Sequence, residues 1–330
     1  MIYKTNSKKF SVKGRGEYMS KSDFIIQYYM DPDKCRDFFF DMKWPEGYVC
    51  EKCGCTHFYY MSTKKCYRCA HCRHDERLLA KTIFQDCKLP LNVLLYGLFL
   101  IFTDKRGISS MELAEELKVN YKTACLLNTK CRILMQSSNE GHCLDSAFYE
   151  SDVAYAGAPS SNGKRGMGTD KQPFLVVLAT VADGQYPTRV KMREIGSDRG
   201  EFIKNFFDEY VVTGGRRLLN TDGKTTYNVL KGDMKVRNEP IDYENENRRL
   251  YFLDKIVSNF NACMLHVYHG IGKRMLPLYF SEFEWRHNHR NTKDFLARIK
   301  EYVALSEVQT KKMIAEKMDR YLLERNLQLA

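Results

Sequence analysis

Two Cys-x-x-Cys pairs, Cys50-Glu51-Lys52-Cys53 and Cys69-Ala70-His71-Cys72, stand 15 residues apart and constrain this chain more than any other feature. Each pair turns two thiolates towards one point, and two such knuckles complete a tetrahedral zinc site with Zn–S distances of about 2.3 Å. Four thiolates leave no open position, so the expected Zn2+ is structural. The insert carries Phe58, Tyr59, Tyr60 and Met61, which suits a small hairpin too poor in core to fold without metal. Cys66-Tyr67-Arg68-Cys69 is an alternative register, with Cys55 close by; the preferred ligands are Cys50, Cys53, Cys69 and Cys72, with Cys66 and Cys55 as bystanders. In a reducing compartment, clustered cysteines of this kind are expected as metal ligands or buried thiols in preference to disulfides. Met1 to Gly16 is polar and basic, without a signal-peptide pattern, and the longest apolar run, Leu89 to Phe102, is too short to span a bilayer. The expectation is a cytoplasmic protein with no membrane partner, associated with the nucleoid if bacterial.

The 330 residues carry a net charge of +11, enough chain for two or three domains and a pointer towards a polyanionic partner. The patterning divides it into a basic leader (1–20), a helical lead-in with the zinc ribbon (21–85), a helical domain (86–140), an α/β domain (141–292) and a helical tail (293–330). In the α/β domain, strand-like runs at Cys143 to Ala156, Phe174 to Ala182 and Thr188 to Ile195 precede a helix at Arg199 to Val212 and a short strand at Arg217 to Asn220. Three adjacent strands, a helix, a strand and further helices give the order of an RNase H-like mixed sheet.

Within 86–140, Ser109 and Glu112 form a capping-box pattern before one short helix, and Lys118-Val119-Asn120 leads into the next. This reads as a helix-turn-helix. Its second helix would enter a major groove with Lys122, Thr123 and Asn128 near base edges and Lys130 and Arg132 near phosphate. Lys164, Arg165 and Lys171, in a Gly-rich loop after the first strand, would grip the phosphate backbone of double-stranded DNA.

Asp152 projects from one face of its strand, and Asp222 follows the end of the strand Arg217 to Asn220. Carboxylates brought together in this way repel unless a cation lies between them, and Mg2+ is the natural choice for phosphoryl transfer. On these grounds alone Glu282 competes as a third acid.

The order of motifs from Phe24 to Arg290 resembles the DDE-type insertion-sequence transposases with an N-terminal zinc ribbon, the group related to Merlin elements. The resemblance rests on Met42-Lys43-Trp44-Pro45-Glu46-Gly47-Tyr48-Val49-Cys50, on Lys88-Leu89-Pro90-Leu91 and on Tyr121-Lys122-Thr123-Ala124. It continues through Glu150-Ser151-Asp152-Val153-Ala154-Tyr155-Ala156-Gly157, Thr221-Asp222-Gly223 with Tyr227, and Ile256-Val257-Ser258-Asn259. It implies catalytic, magnesium-binding Asp152, Asp222 and Asn259, binding of terminal inverted repeats, Mg2+-dependent strand cleavage and transfer, and a homodimer or larger assembly in the active complex. Val153, Gly223 and Asn261 depart from the pattern. They leave open a domesticated, DNA-binding protein that no longer cuts; a stand-alone nuclease is the other alternative.

Overall fold

Asp31-Pro32 starts the first long helix: the Asp31 carboxylate accepts from the N–H groups of Asp33 and Lys34, and Pro32 sits where a missing N–H costs nothing. In the structure, a computed structural model describing residues 19–156, 171–183, 185–240, 244 and 250–329, the elements run in the following order. α1 (Lys21–Phe24), α2 (Pro32–Lys43), β1 (Phe58–Met61), β2 (Cys66–Cys69), β3 (Asp75–Glu76), α3 (Leu91–Thr103), α4 (Ser110–Leu117) and α5 (Tyr121–Asn139) come first. β4 (Phe148–Ala156), β5 (Gln172–Thr180), β6 (Pro187–Glu194), α6 (Gly200–Tyr210), β7 (Leu218–Thr221) and β8 (Lys235–Asn238) follow, then α7 (Tyr251–Ala262), α8 (Leu276–Asn288), α9 (Phe295–Ala304) and α10 (Lys311–Leu329). Among the described residues, no helix is long and apolar enough to cross a membrane.

Two compact units result, neither contiguous in sequence. One takes the chain up to Asp104 with Ser110–Lys130 and Thr292–Thr310; the other takes Lys105–Ser109, Cys131–Asn291 and the chain from Lys311 onward. The segment read as one tail is therefore divided, α9 going to the first unit and α10 to the second.

In the first unit α3 is buried over every residue from Leu94 to Phe102 because α2, α4 and α9 pack around it. Phe24 stacks on Phe99 at 4.3 Å between centroids, and α9 buries Ile299 and Val303. The zinc-ribbon hairpin borrows core from α2: the rings of Phe40, Trp44, Tyr48, Phe58 and Tyr67 lie 4.9–5.6 Å apart.

The second unit is built on one mixed sheet with strand order β6-β5-β4-β7-β8. β4, β5 and β6 form an antiparallel meander, β7 lies parallel to β4, and β8 lies parallel to β7. This is the RNase H-like α/β arrangement. Alternation decides the faces. Tyr149, Val153, Leu175, Val177 and Leu219 point towards Ile203, Phe206 and Phe207 of α6. Phe174, Val176, Leu178, Val190 and Met192 point towards Leu253, Ile256 and Phe260 of α7 and Phe280 of α8. Glu150 and Asp152 have the even parity that faces α7.

Charges are buried behind this second face. Glu282 receives Arg132 at 2.6 Å, Arg286 at 2.6 Å and the Tyr268 hydroxyl at 2.8 Å, and Arg132 lies 4.0 Å from the centre of the Tyr279 ring. Glu282 is thus committed to two arginines and is not a free third acid. A similar knot joins Glu284 to Lys191 (3.2 Å) and Arg193 (2.6 Å), while Asn288 bonds both backbone groups of Val190. Burial opposes ionisation of Glu282, but Arg132 and Arg286 outweigh it and hold the carboxyl down at about 2.

Removing one partner from such a knot leaves buried charge uncompensated, so Glu282→Gln is expected to lower stability by about 3–5 kcal/mol in urea unfolding. Because the folded pKa lies below the unfolded value of about 4.3, this stabilisation is full above that pH and lost as pH falls towards 2. Acid titration should show the loss in the parent protein and a smaller one in Glu282→Gln.

Candidate metal centres

The ribbon's two knuckles are copies of one backbone design. The N–H of Cys50 donates to the Cys55 carbonyl and that of Gly54 to the Cys50 carbonyl; Cys69 donates to His74 and Arg73 to Cys69 in the same pattern. In each, the residue after the second cysteine is left-handed: Gly54 at φ 72° and Arg73 at φ 58°. The turn presents both sulfurs of its pair on one side, and the Cys72 N–H points at the Cys69 sulfur at 3.5 Å. Sulfurs around a zinc at about 2.3 Å lie about 3.8 Å apart. Here Cys50 and Cys72 are 3.6 Å apart, Cys53 and Cys69 3.5 Å, and all four sulfurs fall within 4.8 Å of one another. The donor set and spacing fit zinc. Cys66 is buried on β2 opposite Met61, outside this cluster, and the Cys55 thiol faces the His57 carbonyl.

The second centre arises from strand register. β4 and β7 pair in parallel as Phe148 with Leu218, Tyr149 with Leu219 and Glu150 with Asn220. The same offset carried two residues further sets Asp222 beside Asp152. Between them stands a cation: the Lys224 ammonium lies 3.2 Å from Asp152 Oδ1 and 2.9 Å from Asp222 Oδ2. The side chains of Asp152, Asp222 and Lys224 are 24 %, 15 % and 31 % exposed, so the group opens to solvent without being freely hydrated. Burial raises the Asp152 carboxyl to about 6, with the Lys224 charge acting against it and the Asp222 charge adding to it. Burial disfavours the Lys224 charge in turn, but the two carboxylates outweigh it and hold its pKa above the usual lysine value. A pair of carboxylates that gathers the nearest cation suits a divalent ion.

The loop after β7 is shaped around Gly223. It sits at φ 96°, and a Cβ there would meet the backbone at Pro240 N at 3.0 Å and Glu239 C at 3.3 Å. An acidic side chain has no room at this position. Val153, the other departure, belongs to the apolar layer under α6.

Residues 145–288 match the ISXO2-like transposase domain family, and residues 30–75 match the transposase zinc-ribbon domain family. The two matches together take in more than half of the chain. The two domains together are those of an insertion-sequence transposase with an N-terminal zinc ribbon. No curated protein and no solved structure matched it.

Several residues expected at the DNA interface of this transposase lie elsewhere. Asn128 is buried and donates to the Ser110 hydroxyl at 3.2 Å, tying α5 to α4. Lys130 gives its ammonium to the Ile83 carbonyl and lies over the Phe84 ring, and Arg132 is in the Glu282 knot. The expectation that these three face outward is corrected: Asn128 and Arg132 are buried with Ala124, Leu127 and Cys131, and Lys130 is half-buried with its ammonium turned to the Ile83 carbonyl. Lys122 is exposed in the first turn of α5, its N–H capped by Asn120 at 2.8 Å, with Thr123 half-buried beside it. Lys171 is half-buried just before β5; Lys164 and Arg165 lie outside the described residues.

Asn259 is exposed on α7. Asp254, in the first turn of the same helix, lies about 140° around the axis from it and is near enough to act on Glu150. Burial raises the Glu150 carboxyl to about 7 against the pull of the Leu253 N–H, and Asp183 and Asp254 push the same way. Asp254 and Lys224 were missed from sequence. Lys224 had a signal, a lysine two residues from a proposed ligand, and Asp254 had only its acidity.

Metal analysis of the purified transposase should find one tightly held zinc per chain. Cys69→Ser and Cys72→Ser are expected to lose it and Cys66→Ser to keep it. Retention in Cys72→Ser with loss in Cys66→Ser would reverse the ligand register.

Proposed function

We propose that this transposase binds the terminal inverted repeats of its element as double-stranded DNA, cuts at their ends and joins the freed 3′ ends to target DNA. Asp152, Asp222 and one residue of α7 would hold Mg2+. The observation that carries this reading is the parallel β4–β7 register, which aligns two carboxylates that already gather a cation. Mg2+ bound there supplies an activated water or 3′-hydroxyl and charge neutralisation at the leaving oxygen. The chain's own part is positional. β4 and β7 fix the two carboxylates, and α7 covers their face of the sheet. For the third ligand, motif order favours Asn259, a neutral carbonyl oxygen; the flank of α7 that acts on Glu150 favours Asp254, a carboxylate. Val153 packs in the apolar layer under α6 and Gly223 takes a left-handed turn against Glu239 and Pro240, so both residues suit their places in this fold.

The DNA-binding surface would combine the ribbon with the turn before α5 and the start of that helix, where Lys118, Asn120, Tyr121 and Lys122 are all open to solvent. Pairing two element ends would require a homodimer or larger assembly.

With labelled inverted-repeat DNA and Mg2+, the parent protein should cleave and join ends, and Asp152→Ala or Asp222→Ala should lose both by on the order of a thousandfold. Asp254→Asn is expected to share that loss and Asn259→Ala to be spared; the reverse result returns the third position to Asn259. Activity surviving in Asp152→Ala or Asp222→Ala would refute the site. Lys122→Ala should weaken DNA binding alike for all sequences and reduce the slope of log K against log salt by about 1. An unchanged slope would remove Lys122 from the interface.

A further inference from the structure

The Lys224 ammonium spans the gap between the two carboxylates that a divalent ion would bridge. The surrounding turn does not depend on this contact. The Lys224 N–H bonds Asp222 Oδ1 at 3.3 Å, its carbonyl accepts from Asn238 Nδ2 at 2.8 Å, and Asn238 Oδ1 accepts from the Thr221 hydroxyl at 2.6 Å. The backbone is held from β7 and β8, with Gly223 pressed against Glu239 and Pro240. Only the four-carbon stem and its charge lie in the site, and the side chain is 31 % exposed, so a path outward exists.

A divalent cation takes carboxylate oxygens at about 2.0–2.1 Å. It cannot share the oxygens between Asp152 and Asp222 with an ammonium, because two cations a few ångströms apart in a half-buried site repel strongly. We propose that Lys224 is a tethered competitor for the catalytic metal: it closes the carboxylate pair in the free protein and must swing out before the ion enters. This rests on the reading of Asp152 and Asp222 as metal ligands.

Two consequences follow from charge alone. In the free protein the divalent ion binds weakly, because it must displace an ion pair already made. When DNA is bound, the displaced ammonium gains a phosphate oxygen as partner, so DNA strengthens metal binding and, by reciprocity, metal strengthens DNA binding. Lys224 is then a positioning residue that restricts metal loading to the DNA-bound transposase.

The test is Mn2+ binding to the full-length, zinc-loaded protein, followed by electron paramagnetic resonance of free Mn2+, for the parent, Lys224→Met, Lys224→Gln and Asp152→Asn. Both lysine variants are expected to bind Mn2+ at least tenfold more tightly than the parent, at a site that Asp152→Asn removes. Inverted-repeat duplex should tighten Mn2+ binding in the parent and much less in either variant. Without metal the lysine variants should melt lower than the parent, since the carboxylates lose their counter-ion, and Mn2+ should raise their Tm by more. Equal or weaker Mn2+ binding in both variants, at a site that Asp152→Asn abolishes, overturns the role of Lys224 and leaves the metal-ligand reading standing. Mn2+ binding untouched by Asp152→Asn, or none in any protein, overturns both.

Discussion

Everything at the acidic centre depends on a strand register that apolar side chains enforce. β5 runs between β4 and β6 and is buried on both faces, with Leu175 and Val177 under α6 and Phe174, Val176 and Leu178 under α7 and α8. A slip of β4 by one residue would send Tyr149 and Val153 towards α7 and Asp152 into the apolar layer under α6. The cost of burying that carboxylate against Ile203 and Phe207, and of exposing the large side chains, forbids the slip. The two acids meet because hydrophobic alternation on β4 and the parallel pairing of β7 agree. Their mutual repulsion is then answered locally by Lys224.

The sequence revealed what is encoded by spacing. The four cysteines sit in two short turns, so their convergence is a local matter, and β4 to β7 showed as apolar runs bounded by turns. Their limits moved by a few residues, most at β4, where the expected strand from Cys143 begins at Phe148. β8 escaped notice because Lys235-Val236-Arg237-Asn238 is a polar edge strand without alternation strong enough to mark it. The inward-facing polar residues of α5 were misread for a related reason. A lysine, arginine or asparagine on a helix looks like surface until its partner is known, and Arg132 finds its partner 150 residues away. The same distance hid the fate of Glu282.

The ribbon shows a different balance. The hairpin was expected to depend on its metal for lack of core, but Phe58 and Tyr67 pack with Phe40 and Trp44 from α2 and with Tyr48 from the approach to the first knuckle. Zinc therefore fixes the two knuckles relative to each other, while the aromatic cluster fixes the hairpin to the helix before it. A match that begins at residue 30, well ahead of Cys50, is consistent with helix and ribbon forming one packing unit.

The divided C-terminal segment restricts how such a chain can be inherited. α9 supplies Ile299 and Val303 to the unit whose remaining parts lie before Lys130, and α10 returns to the unit built on the sheet. A single genetic crossover between α5 and β4 would pair one parent's N-terminal half with another parent's α9, replacing the side chains that complete its core. The two units in this lineage should therefore be exchanged together with the tail or not at all, and recombinant halves should carry compensating changes at the α9 contacts.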